Sequence, residues 1–207
     1  TDIPVYRGAD KPLIGEQVTA HYVHGQNGLN EIELPLPKRH PEAMSAWDAI
    51  YRNAKEYAGR LVIVAIGPLT NLALAIAKYK ELPELSRRVV VMGGAAVGGN
   101  ITPSAEFNIY ADPEAADMVL TCGAPVTLCG LDVTMRAYFT GEELDELAAL
   151  GSKQAVFARD VSQGILDYYR GFDLPGVCMH DPLTVVYADD DSYFETEHVG
   201  IRVETKG

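Results

Sequence analysis

Leu61-Val62-Ile63-Val64-Ala65-Ile66-Gly67-Pro68-Leu69-Thr70-Asn71 is the stretch on which the fold turns. Six apolar residues in a row, four of them β-branched, suit a short strand covered on both faces, as in a parallel sheet. Gly67-Pro68 breaks the strand, and Leu72 to Lys80 reads as a helix. The same unit recurs downstream. Val89 to Met92 is a second strand, closed by Gly93-Gly94. Asp112-Pro113-Glu114 opens a helix: Asp112 as N-cap, Pro113 at the first helical position, Glu114 at the positive end of the dipole. Pro125 to Leu131 is a third strand, and Thr140 to Glu143 forms a capping box ahead of Leu144 to Leu150. Lys153 to Tyr169 is a longer amphipathic helix, Asp181 to Tyr187 a short one, and Val199 to Glu204 is expected as an edge strand. The alternation implies the α/β class, an open, mostly parallel sheet with helices on both faces and a Rossmann-like core. Residues 1–207 read as a single domain.

Composition narrows the partners. Hydrophobic residues make up 47% and charged residues 22%, which excludes a disordered tail, a collagen-like fibre and a disulfide-stapled miniprotein. Acidic residues number 29 against 17 basic, a net charge of −12, which argues against a nucleic-acid partner and for a small-molecule protein that offers carboxylates to a cation. Cys122, Cys129 and Cys178 are odd in number and form no C-x-x-C pair, so free, mostly buried thiols in a reducing cytoplasm are expected. The apolar run 61–66 is too short to cross a bilayer, and no signal-peptide pattern opens the chain. The opening Thr1-Asp2-Ile3 reads like the interior of a longer protein.

In open parallel sheets, ligands bind beyond the carboxyl ends of the strands, which directs attention to the loops after Ile66, Met92 and Leu131. The loop Gly93 to Ala111 is long for a strand-to-helix connection. It is a poor dinucleotide fingerprint, because Ala96 lies between Gly94 and Gly99 and Pro103 interrupts the residues where a helix would have to start. Asn100, Glu106 and Asn108 suit a polyhydroxy ligand, since amides and carboxylates can bond adjacent hydroxyls; equally, they can satisfy the loop's own backbone. His180-Asp181 reads either as a proton donor beside a metal-binding carboxylate or as a surface histidine before an N-cap. His24, in a Gly- and Asn-rich turn, is uninformative alone. Asp132 and Thr134 fit a cap on the next turn better than a site. His21, His40 and His198 read as solvated, as does Asp189-Asp190-Asp191.

Taken together, these segments resemble the inosine-uridine preferring nucleoside hydrolases. The stretches that carry the resemblance are Val5-Tyr6-Arg7-Gly8, His24-Gly25-x-x-Gly28-Leu29, Ile66 to Asn71, Val91-Met92-Gly93-Gly94, Asn100-x-x-Pro103 through Ala116, Leu131 to Thr134 and His180-Asp181. The block 100–116 is the most specific. The resemblance implies hydrolysis of the N-glycosidic bond of ribonucleosides to ribose and free base, in purine or pyrimidine salvage, by a calcium-dependent enzyme that forms a homodimer or homotetramer. It implies the backbone carbonyl of Ile66 and the carboxylate of Asp181 as calcium ligands. Asn100, Glu106 and Asn108 would bind the ribose hydroxyls with Met92 packed nearby, and His180 would protonate the leaving base. His24 and Phe107 would line the base, and Tyr168 would stack on it or bond to it. His180 points to the base-nonspecific or pyrimidine-accepting branch. The family opens with an aspartate cluster of the D-x-D-x-x-x-D-D type that residues 1–207 do not contain, so the chain reads as the middle two-thirds of such a domain, incomplete at both ends. The competing reading is a ribose- or nucleoside-binding relic without catalytic metal; a dinucleotide-dependent dehydrogenase is disfavoured by Ala96 and Pro103.

Overall fold

The computed structural model describes residues 3–172 and 174–206. In chain order its strands are β1 (Tyr6–Arg7), β2 (Glu42–Ser45), β3 (Leu61–Ala65), β4 (Ser86–Met92), β5 (Val126–Cys129), β6 (Tyr138–Phe139) and β7 (Val177–Cys178). Its helices are α1 (His21–His24), α2 (Ala46–Glu56), α3 (Thr70–Lys78), α4 (Leu82–Leu85), α5 (Phe107–Ala111), α6 (Pro113–Leu120), α7 (Leu131–Thr134), α8 (Gly141–Ala149), α9 (Lys153–Tyr169) and α10 (His180–Asp189). Contacts divide the chain into two compact units, one of residues 1–17, 38–132 and 180–207, the other of 18–37 and 133–179.

The first unit is built on a parallel sheet in the order β3-β4-β5. Side chains alternate across a strand, so β4 presents Val89 and Val91 to one face and Arg88 and Val90 to the other. Val89 and Val91 pack with Leu69, Leu72, Ala73 and Ala75 at α3 and with Ala115, Ala116 and Val119 of α6. The buried alanines let these helices lie close to the sheet, and each fully buried Val or Leu contributes about 1.5–3 kcal/mol. On the opposite face, the Arg88 guanidinium donates to the carbonyl of Ala188 at 2.9 Å and to Asp191 at 2.7 Å. This holds the carboxyl end of α10, where unsatisfied carbonyls and negative dipole favour a cation. The parallel sheet with helices on both faces is thus as expected.

The three expected sheet strands and the helices over α3, α6, α8, α9 and α10 are present, with ends shifted by a few residues. The edge strand expected at Val199 to Glu204 does not form: residues 194–206 carry neither helix nor strand. Alternating apolar residues make a strand only against a partner, and here Val199 and Ile201 stay 60% and 40% exposed. The acidic run at 189–191 is exposed, as expected, and two of its carboxylates also take hydrogen bonds. Asp190 accepts from the Ser192 N–H at 2.9 Å, and Asp191 takes the Arg88 bond.

The second unit is smaller. Thr140 and Glu143 form the expected capping box on α8: the Glu143 N–H donates to Thr140 Oγ1 at 3.2 Å, and the Thr140 N–H donates to Glu143 Oε2 at 2.8 Å. Leu144, Leu166 and Val177 form its core. β6 and β7 pair antiparallel, and Gly176 fits because a Cβ there would lie 2.2 Å from the Phe139 carbonyl oxygen. Cys129 and Cys178 are buried and Cys122 half-buried, all free thiols. Among the described residues, no helix is long and apolar enough to cross a membrane.

Candidate active site

Three chain segments end at the carboxyl edge of the first unit's sheet: the Ile66 turn after β3, the Gly93-Gly94 loop after β4 and the Gly130-Leu131 turn after β5. The long loop after β4 is fixed by its own hydrogen bonds. The N–H groups of Asn100 and Ile101 donate to the Ala105 carbonyl at 3.1 and 3.2 Å, and Gly99 donates to Pro103 at 3.0 Å. The loop then turns into α5, with Glu106 as N-cap.

Glu106 is the centre of this arrangement. It is only 3% exposed. Its Oε1 accepts from the Asn108 N–H at 2.9 Å; its Oε2 accepts from Ile109 at 3.1 Å and from Gly94 at 3.2 Å. Gly94 adopts φ of 90°, a left-handed conformation that glycine tolerates, and so aims its N–H at the carboxylate. At Gly93 a Cβ would stand 3.0 Å from Ile109 and 3.3 Å from Glu106 Oε2, so the glycine doublet leaves room for the carboxylate. Burial pushes the Glu106 pKa up, and the three backbone N–H groups pull part of that back.

Around it stand the two amides. Asn100 Oδ1 accepts from the Phe107 N–H at 2.9 Å, and Asn108 Nδ2 donates to the Met92 carbonyl at 3.2 Å and touches its sulfur at 3.3 Å. Among the described residues, Asn100 Nδ2 and Asn108 Oδ1 make no hydrogen bond, leaving a donor and an acceptor for a ligand. Met92 is buried, Phe107 half-buried and Ile66 45% exposed. His180 and Asp181 open α10. Burial, and then the negative charge of Glu106, push the Asp181 carboxyl up to about 6. The repulsion falls on Asp181 because Glu106 is the carboxylate the backbone already holds.

The structure thus brings Met92, Asn108, Glu106, Phe107 and Asn100 into one hydrogen-bonded cluster, with Asp181 in electrostatic reach of Glu106. His24 and Tyr168 belong to the second unit. There α1 packs on α9, with Tyr22 and Tyr168 ring centroids 6.1 Å apart and Phe172 5.0 Å from Tyr168. Asp132 and Thr134 fall on the short helix α7, in keeping with a role in the turn. The backbone donor of Gly94 is not among the residues expected from sequence; its signal is the glycine doublet at a strand's carboxyl end.

The fit to a metal ion is partial. Among the described residues, no group of three or more His, Cys, Asp or Glu stands together to hold one. Calcium takes six to eight oxygens, so Asp181 and the Ile66 carbonyl would supply only an edge of its shell.

A parallel α/β sheet whose strand ends carry a buried, backbone-clamped carboxylate flanked by two amides places polar groups where sheets of this class bind ligands, beyond the carboxyl ends of the strands. More narrowly, the chain belongs to the inosine-uridine preferring nucleoside hydrolase family, whose model matches residues 1–207. Among its relatives, the pyrimidine-specific ribonucleoside hydrolase RihA of Shewanella woodyi is 40% identical over 209 residues, covering 100% of this chain and 67% of the relative. RihA of Shewanella baltica is 39% identical, covering 99% and 65%. Among solved structures, the purine-preferring ribonucleoside hydrolase of Gardnerella vaginalis superposes with a TM-score of 0.94 at 34% identity, covering 100% of this chain and 67% of that one. A plant nucleoside hydrolase, PpNRh1, gives 0.88 at 38% identity, covering 92% and 61%. The chain therefore spans about two-thirds of the length of the relatives it matches.

Proposed function

We propose that this protein hydrolyses the N-glycosidic bond of ribonucleosides, with pyrimidine nucleosides among its substrates, releasing ribose and the free base. The carrying observation is the Glu106 cluster: a buried carboxylate and two amides with spare hydrogen-bonding atoms, held rigid by the backbone. Such groups bind vicinal hydroxyls and stay in place as positive charge grows on the sugar ring, which is where catalysis gains. His180, at the start of α10 beside Asp181, would hold the proton that the leaving base accepts, a contribution typically worth 10²–10⁴-fold. His24 and Tyr168 are read as base-facing residues. The preference for pyrimidines rests on the pyrimidine-specific RihA relatives; the Gardnerella vaginalis relative is purine-preferring.

We also propose calcium as the cofactor, held in part by Asp181 and the Ile66 carbonyl; a bound divalent cation makes its water more acidic. A homodimeric or homotetrameric, cytoplasmic enzyme completes the proposal. The absence of a three-residue acidic or histidine group among the described residues favours a second reading for the 207 residues alone, a ribose-binding piece without turnover. The deciding experiment measures ribose release from uridine, cytidine and inosine by the protein at the full length of its gene, with calcium and with a chelator. Calcium-dependent release, faster from the pyrimidines, is expected. Binding of ribose without release from any nucleoside would establish the second reading instead.

A further inference from the structure

Asp112 is completely buried, and its N-cap role uses only one of its two oxygens. Its Oδ1 accepts from the Ala115 N–H at 3.1 Å, which is an ordinary helix cap. Serine or asparagine would do that as well. The second oxygen does something else: Oδ2 accepts from Thr70 Oγ1 at 2.5 Å and from the Leu13 N–H at 2.9 Å. These donors are 42 and 99 residues away in sequence.

The two ends of this link matter. Thr70 is the first residue of α3 and comes directly after the turn Ile66-Gly67-Pro68-Leu69. Asp112 is the residue immediately after α5, the helix whose N-cap is Glu106 and which carries Asn108. A single buried carboxylate thus ties the turn after β3 to the helix after β4. A second stitch runs beside it. Asn71 Oδ1 accepts from the Ala9 N–H at 2.8 Å, and a Cβ on Gly8 would come within 2.6 Å of Asn71 Nδ2. Residues 8–13 are thereby strapped across both elements.

We propose that Asp112 is a positioning residue: through Thr70 it sets the Ile66 turn and the Glu106–Asn108 segment in one fixed frame. The proposal rests on the reading of those two segments as the metal- and ribose-binding parts of one site. Small displacements of bound groups are costly to catalysis, with about 1 Å worth up to 10²-fold. Thr70→Val keeps the shape and removes the donor; Thr70→Ser keeps the donor and removes a methyl.

The test uses the full-length protein, with wild type, Thr70→Val and Thr70→Ser compared in two measurements. In steady-state ribose release from uridine, kcat of Thr70→Val falls about tenfold or more, and Thr70→Ser recovers most of it. In hydrogen exchange, Thr70→Val opens residues 66–72 and 106–112 together while α8 and α9 keep wild-type protection, and Thr70→Ser exchanges like wild type. Unchanged kcat in Thr70→Val, failure of Thr70→Ser to recover activity, or faster exchange at 66–72 without any at 106–112 overturns the proposal. A wild type that releases no ribose overturns the functional reading instead, and the exchange experiment still decides whether the two segments move as one.

Discussion

Removing the Asp181 charge should make the metal-free protein more stable near neutral pH, and the gain should vanish in acid. Asp181 has a folded-state pKa of about 6 against an ordinary 3.8, raised first by burial and then by Glu106. The folded state therefore holds this proton more tightly than the unfolded chain. The resulting stability is greatest below pH 3.8 and is lost as pH rises towards 6. About two pKa units at about 1.4 kcal/mol each set a ceiling near 3 kcal/mol, of which roughly two-thirds falls above pH 4.5. Asp181 is only half-buried, and solvent screening reduces the expected figure to about 1 kcal/mol. The assay is urea unfolding of full-length wild type and Asp181→Asn in chelator at pH 4.5 and 7.5. Asp181→Asn should gain about 1 kcal/mol on wild type between the two pH values. Added calcium should then stabilise wild type more than the variant. Parallel pH dependences of the two proteins, or a variant that loses ground at pH 7.5, would refute the picture of an uncompensated Asp181 carboxylate.

Three further perturbations separate the site from its scaffold. Glu106→Gln replaces an acceptor-only group that takes three N–H bonds by an amide with one acceptor oxygen; unfolding should show a loss of about 1–3 kcal/mol, and ribose release should fall with it. Leu82→Ala, at a residue 1% exposed in the core beneath α2 and α3, should cost about 2–5 kcal/mol in chemical denaturation. Thr140→Ala breaks the capping box of α8 and should cost about 1 kcal/mol, visible as a lower Tm with kcat on uridine unchanged.

Much of the architecture was legible because local chemistry and tertiary need agreed. The apolar run 61–66 had to be covered on both faces, and it is the β3 strand; Asp112-Pro113-Glu114 carries every N-terminal signal, and α6 starts there. α2 lies outside the expected elements although its signal is present: Trp47, Ile50, Tyr51 and Ala54 recur at helical spacing behind the Ser45 cap, whose Oγ accepts from Asp48. The two-residue strands β1, β6 and β7 carry no periodicity and exist only through their partners. Val199 to Glu204 shows the converse, a strand-like pattern with nothing to pair with. At the site, the chemical types of Asn100, Glu106 and Asn108 were visible, and of their two possible roles the structure displays the one toward the chain's own backbone. The amides still keep Asn100 Nδ2 and Asn108 Oδ1 without a hydrogen bond among the described residues. The Asp112–Thr70 link was hidden because one hydrogen-bonding oxygen was already accounted for by the helix cap.

The two carboxylates of the site have divided a shared electrostatic burden, and the division suggests why each is placed as it is. Glu106 is almost fully buried, yet three backbone N–H groups converge on it, so its oxygens are fixed in direction before any ligand arrives. That would suit the sugar-holding role proposed for it, since fixed dipoles need no reorganisation while charge develops on the ring. Asp181 is held differently: its pKa is raised by burial and by its neighbour, and among the described residues no hydrogen bond lowers it back. A carboxylate left in that condition gains most from an arriving cation, because the same charge that Glu106 repels would then be neutralised. Under the proposed function, the rigid acid would serve the sugar and the uncompensated acid the metal, and exchanging their roles by mutation would need the Gly93-Gly94 turn to move as well.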